Sequence, residues 1–142
     1  MPYRITWEQN GVYCQFWGEV EAANVIAMLR DISSDGRFDT IHYWLTDYLD
    51  VTHQHIVAEE VDEMIALEFA HHCSNSRYYA VAVANDAGIL ALLRYWTSHH
   101  PDQNQLAYFT TVEEARAWIA AQPPILDQKR RFIRDQSRSP TG

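Results

Sequence analysis

Residues 40–55 read TIHYWLTDYLDVTHQH, and the place where the strand in this stretch stops decides how the chain folds. Over TIHYWLT the side chains alternate, with Ile41, Tyr43 and Leu45 to one side and His42, Trp44 and Thr46 to the other. That period of two belongs to a β-strand. Further on, Val57, Val61, Met64, Ile65 and Phe69 share a helical stripe, while Glu59, Glu60, Asp62 and Glu63 crowd the N-terminal half, where the helix dipole favours carboxylates. The spacing predicts a strand ending near Thr46, a polar loop, and a helix of about 20 residues starting at Thr52.

Strand followed by helix is also the pattern on both sides of this stretch. Residues 3–8 alternate, Asn10-Gly11 supplies the positive φ values of a tight turn, and VYCQFWG follows, which predicts a β-hairpin. Ala22, Val25, Ile26, Leu29 and Ile32 then keep helical spacing until SSDG interrupts it. Downstream, YYAVAVAN is a strand, Asn85 or Asp86 caps the helix AGILALLRYWTSHH, and QLAYFT is a fifth strand. Thr111 and Glu114 form a capping box that opens a last helix, which Pro123-Pro124 ends. The order β-β-α-β-α-β-α-β-α predicts an α/β domain over residues 1–122. Its sheet has five strands and is mixed, an N-terminal hairpin followed by parallel βαβ units, with four helices mainly on one face. Residues 123–142 form a basic tail.

Alternation within each strand also sorts the sheet into two faces. One holds Tyr3, Ile5, Trp7, Cys14, Phe16, Ile41, Tyr43, Leu45, Val81 and Val83; the other holds Tyr13, Gln15, Trp17, His42, Trp44 and alanines 80, 82 and 84. With helices mainly on one side, the second face is expected to be partly open, and its Trp17 and Trp44 predict a homodimer interface or a packed terminal segment.

A chain of 142 residues with 47% apolar and 21% charged residues is long enough to bury a core without staples. Cys14 and Cys73 make neither a disulfide framework nor a metal knuckle, and no charged-then-apolar leader opens the chain. These features predict a reduced, cytoplasmic protein. The charge is divided: residues 1–126 hold 17 acids against six arginines, while residues 127–142 are net positive. Such an acidic body excludes general nucleic-acid binding. The tail, with Phe132 and Ile133 among its basic residues, either folds back on the body or touches an anionic surface, which would place the protein at the periphery of a membrane.

The segments YRITWEQNGVYCQFWGEV, WLTDYLDVT, YAVAVAND and YFTTVEEARAWI together resemble the SpoIIAA-like proteins, relatives of the STAS domains, over residues 3 to 121. The resemblance implies a non-enzymatic regulatory or binding domain that engages a small apolar ligand between helices and sheet, a membrane surface or a protein partner. It also implies a phosphorylation switch, because phosphorylatable STAS proteins carry an Asp-Ser-Ser-Gly-like segment after the third strand. Here that segment reads Asp50-Val51-Thr52-His53, without the serine pair or the glycine, and leaves Thr52 as the candidate phosphosite.

From the residues themselves, the candidate binding rim is Asp47, Asp50 and Thr52, at a strand's carboxyl end, where ligands of open α/β sheets bind. In the plainer reading Asp50 or Thr52 caps a helix and Asp47 bonds loop amides. Adding His53 and His55 gives the alternative of a small metal-dependent enzyme. On a helix, however, residues two apart point about 200° from each other and cannot share a metal. His71-His72-Cys73 and His99-His100 end helices, where imidazolium suits the dipole, and a Cys73-His nucleophile lacks an orienting group. The third helix is more informative: Ile89, Leu90, Leu92, Leu93, Tyr95 and Trp96 leave it almost no polar face. Leu92 and Trp96 are therefore candidates to line an apolar ligand pocket. No cofactor and no resident metal are implied.

Overall fold

The computed structural model describes residues 2–126. Strands β1 (Tyr3–Trp7) and β2 (Gly11–Val20) form the N-terminal hairpin, and helix α1 (Ala22–Ser33) follows. Then come β3 (Tyr43–Gln54), α2 (Ala58–His71), β4 (Tyr79–Val83), α3 (Ala87–His99), β5 (Leu106–Phe109) and α4 (Val112–Ala121). The five strands lie in the order β1-β2-β3-β4-β5, antiparallel in the hairpin and parallel thereafter. The expected mixed sheet and all four helices are present.

Local chemistry accounts for the helix starts. The Glu21 N–H donates to Asn24 Oδ1 at 2.8 Å before α1, and Asp86 accepts the Ile89 N–H at 3.1 Å before α3. At α4 the Thr111 hydroxyl accepts the Glu114 N–H at 3.2 Å, and it donates to the Glu114 carboxylate at 2.9 Å. The carboxylate thus takes the hydroxyl proton, where the capping-box pattern would give it the backbone N–H.

Helices α1, α2 and α3 cover one face of the sheet. Val12, Cys14, Phe16 and Trp44 are buried against Val25, Met28, Leu29 and Ile32 of α1 and Met64 of α2. Ala82 and Ala84 lie under Ile89, Leu93 and Trp96 of α3. Helix α4 alone packs on the other face, where Ala115 meets Leu45, Val81 and Val83. Arg116 fastens it to the hairpin, with both guanidinium nitrogens on the Glu8 carboxylate at 3.0 and 2.9 Å. That bidentate contact holds the Glu8 carboxyl below its ordinary pKa.

The faces are therefore not those read from the separate strands. Register pairs Val12 with Trp44 and Cys14 with Thr46, so Trp44 shares a side with Cys14 and Phe16, while Tyr13 shares one with Leu45 and Val81. Trp44 is 4% exposed, and its indole meets the rings of Phe38 and Tyr78. Trp17, at 42%, points away from this core. An open face carrying both tryptophans, on which the dimer expectation rested, is thereby corrected. Central strands are apolar on both sides, so alternation inside β3 cannot say which side matches β2. The expected tail lies, from residue 127 onward, outside the described residues.

The stretch that opened the sequence reading is the second correction. Strand β3 does not stop near Thr46; it runs twelve residues to Gln54, and α2 begins at Ala58, not Thr52. Its partner is β2, itself ten residues long, which continues to offer backbone groups as far as Val20. To stay paired, β3 takes two extra residues. Gln15 faces Asp47 but Trp17 faces Asp50, and Gly18 faces Val51 but Glu19 faces His53. Each bulge turns the strand's alternation by one residue. Gly18 stands between the two with φ of +69°, the left-handed region that costs an L-residue about 1–2 kcal/mol.

Gly18→Ala should therefore destabilise the fold by about 1–2 kcal/mol in urea denaturation, with Gly18→Asn losing less because asparagine tolerates that region. Equal losses for the two variants would place the cost somewhere other than the backbone.

Candidate functional site

The bulges decide which side chains of β3 face the helices. In an unbroken strand Thr46 and Tyr48 would be followed by Asp50 and Thr52. Instead Thr46, Tyr48, Val51 and Gln54 turn inward, and together they line a cavity between the sheet and the three helices. Val25, Met28 and Leu29 of α1, Val61, Met64 and Glu68 of α2, and Ile89, Leu92, Leu93 and Trp96 of α3 close it. Its volume is about 90 Å³. An engineered apolar cavity of about 150 Å³ admits benzene, so this space suits a molecule of few heavy atoms.

The space exists because β4 supplies small residues. Ala80 and Ala82 sit beneath α2 and α3 beside the bulky Trp44, and no long side chain reaches across from the sheet to fill the gap. Helix α2 forms a shallow wall. Of its fourteen residues only Val61 and Met64 are buried, against five buried positions in α1. Val57 and Phe69, placed on the apolar stripe by spacing, are 53% and 57% exposed. An element held by so little buried surface opens at low cost.

Besides Thr46 and Gln54, three polar groups interrupt the apolar lining. Tyr78 is 2% exposed and Tyr48 is half-buried, with its ring stacked on Phe16 at 5.2 Å. Burial raises both phenols well above the ordinary tyrosine range, and among the described residues neither hydroxyl has a hydrogen-bond partner. Five of the other six tyrosines, all but Tyr108, donate a hydrogen bond. Tyr3 donates to Asp31, Tyr13 to Asp47, Tyr43 to Glu8, Tyr95 to Asp62 and Tyr79 to the Pro123 carbonyl. Neither phenol oxygen is fully buried; the fully buried side-chain polar atoms without a partner among the described residues are His71 Nδ1, His72 Nδ1 and His100 Nε2.

The third polar group is Glu68. Its Oε2 accepts the Trp96 indole N–H at 3.0 Å and lies 3.1 Å from His100 Nε2, while Oε1 takes no hydrogen bond among the described residues. The backbone N–H of Asp102 donates to His100 Nδ1 at 3.0 Å. An accepting Nδ1 carries no proton, so the ring is neutral with its proton on Nε2, which is buried and makes no hydrogen bond to Glu68 despite the short separation. The imidazole therefore leaves the charge of this carboxylate uncompensated.

The residues proposed from sequence divide in two. Leu92 and Trp96 do line the cavity. Asp47, Asp50 and Thr52 do not. Asp47 is buried on the α4 side, accepting from Tyr13 and from the Leu49 N–H at 2.9 Å; Asp50 is exposed and accepts from Gln15 at 2.8 Å. Thr52 is exposed within β3, six residues before α2, and so has neither a capping role nor the free helix N–H groups that a phosphate there would use. His53 and His55 are both exposed, and the His55 N–H donates to the Val20 carbonyl at 3.0 Å. Among the described residues no group of three or more His, Cys, Asp or Glu side chains is placed to hold a metal ion, and no helix is long and apolar enough to cross a membrane. The spacing 46, 48, 51, 54 matches neither a strand nor a helix, which is why Tyr48, Tyr78, Gln54 and Glu68 did not stand out.

No family profile and no curated protein sequence matches the chain significantly. Solved structures do. The anti-sigma factor antagonist SpoIIAA in its unphosphorylated form superposes with a TM-score of 0.56 at 9% identity, over 84% of this chain and 99% of that one. This chain has the SpoIIAA-like fold. An uncharacterized protein of the DUF3478 family from Shewanella loihica, also with a SpoIIAA-like fold, gives a TM-score of 0.51 at 11% identity, over 82% of this chain and 91% of that one. The SpoIIAA-like fold thus arises here without the Asp-Ser-Ser-Gly-like segment, and the residues Asp50-Val51-Thr52-His53 lie within β3.

Beside the cavity, His71 and His72 close α2. Burial depresses both imidazoles; neighbouring Glu68 and, for His72, Asp102 at 3.5 Å oppose the shift without reversing it. The unfolded chain therefore takes up protons before the folded one. Their stabilising contribution is complete above the unfolded value of about 6.5 and is lost as pH falls through the lower folded values. Stability should decline as pH falls below about 6.5 in chemical denaturation, and the slope should be shallower in a His71→Gln/His72→Gln variant. An unchanged slope would remove these two residues from the account.

Proposed function

We propose that this chain is a non-enzymatic binding domain that holds a small, mainly apolar molecule in the cavity between β3–β4 and helices α1 to α3. One observation carries the proposal: an apolar cavity between sheet and helices whose walls include the Tyr48 and Tyr78 rings, with hydroxyls that make no hydrogen bond among the described residues. Folding alone gains nothing from those hydroxyls, whereas a bound molecule gives them partners. The shallow seating of α2 supplies the route in.

The fold also supports a regulatory reading, since one structural neighbour is an anti-sigma factor antagonist. Exposed Trp17 and Leu49 offer apolar surface to a protein partner. The two readings are compatible, with the ligand setting the position of α2 and a partner sensing it. A switch by phosphorylation of Thr52 is not part of this proposal, because that residue lies within β3, six residues before α2.

Toluene, a probe without hydrogen-bonding groups, tests the cavity directly. Binding to the folded state alone raises the melting temperature with probe concentration, and the wild type should show such a rise. Ala80→Leu places a larger side chain in the cavity and should remain folded while losing the toluene response. An equal response in both proteins would place toluene elsewhere and contradict the proposal.

A further inference from the structure

The walls of the cavity restrict the chemistry of what it holds, an inference that rests on the ligand-binding reading above. Besides Thr46 and Gln54 of β3, three polar groups reach the space: the Tyr48 and Tyr78 hydroxyls and the Glu68 carboxylate. No lysine or arginine lines it. The nearest imidazole, His100, is neutral by its hydrogen bonding, since it accepts the Asp102 N–H through Nδ1 at 3.0 Å. Glu68 thus brings an uncompensated negative charge into an apolar enclosure, with Oε1 still able to accept. We infer that the ligand is a small neutral or cationic molecule with a hydrogen-bond donor, such as a hydroxyl or an amine, on a compact apolar body. It is not a carboxylate, a phosphate or a fatty acid.

Magnitudes point the same way. A buried anion without a positive partner loses its hydration with nothing in return, and a second negative charge beside Glu68 adds repulsion in a low dielectric. A donor aimed at Glu68 instead forms a charge-assisted hydrogen bond, roughly twice as strong as one between neutral groups. The two phenols accept or donate as the ligand requires, so they orient a second polar atom without selecting its type. At about 90 Å³ the cavity as it stands takes a body of few heavy atoms, and a single ring enters with an outward movement of the shallowly seated α2.

Four probes built on one ring separate the possibilities: toluene, phenol, benzylamine and benzoate. Met28 and Met64 both line the cavity, so their ε-methyl resonances in the labelled full-length protein report occupancy at this place and no other. Phenol and benzylamine should shift both methyls with affinities at least tenfold above that of toluene, and benzoate should leave them unmoved. Glu68→Gln keeps an acceptor for the Trp96 indole but removes the charge, and should bring benzylamine down to the level of toluene. Tyr48→Phe and Tyr78→Phe should remain folded and lower phenol affinity while leaving toluene unchanged. Benzoate binding as tightly as phenol would overturn the inference, as would an undiminished preference for benzylamine in Glu68→Gln. Toluene binding as well as phenol would also overturn it while leaving the ligand cavity in place. If none of the four shifts the methionines, the cavity reading itself fails and this inference falls with it.

Discussion

The parallel pairing of β2 with β3 is the constraint on which the rest of the molecule depends. Both strands are long, ten and twelve residues, and they stay hydrogen-bonded from Gly11 opposite Tyr43 to Val20 opposite Gln54. Keeping that pairing requires two bulges, and the bulges redirect the side chains of β3 inward at Thr46, Tyr48, Val51 and Gln54. They also use up the residues that would otherwise have opened α2 early. The helix therefore starts at Ala58 with only two buried positions. One pairing thus sets the cavity's lining, the position of its polar groups and the looseness of its outer wall.

The cavity is a consequence of size mismatch across the layers. Trp44 fills the space toward Phe38 and Tyr78, but its neighbour in register is Ala80, and Ala82 follows on the same side. Interiors are otherwise packed as densely as organic crystals, so a void between sheet and helices lowers stability unless something occupies it. In the proposed binding role, stability and function pull in opposite directions at this place, a relation that binding sites often show and structural cores rarely do.

Much of the fold was legible because its signals are local. Asp86 before α3 and Thr111 before α4 mark boundaries through side chains acting within a few residues; the hairpin turns where Asn10-Gly11 put it, but without their expected positive φ, which among the described residues Gly18 alone has. What could not be read depends on a second strand. Which side of Trp44 faces the core is fixed by Val12 across the pairing, and the continuation of β3 past Thr46 is fixed by the reach of β2. The decapeptide TDYLDVTHQH looked like a site because its polar residues are conspicuous. Its contribution to the cavity comes instead from the residues between them, Thr46, Tyr48, Val51 and Gln54, whose spacing only the bulges explain. Leu92 and Trp96 were legible because an apolar face on all sides of a helix signals two neighbours. Tyr78 and Glu68 were not, since neither a tyrosine before a strand nor one acid among many carries such a mark.

The central claim is that an accessible apolar cavity lies between β3–β4 and helices α1 to α3, and xenon tests it without reference to any particular ligand. Crystals of the protein pressurised with xenon should show a single strong anomalous peak bounded by Tyr48, Tyr78, Ala80, Met64 and Leu92. A closed interior with no xenon there, its space taken by repacked side chains, would contradict the account.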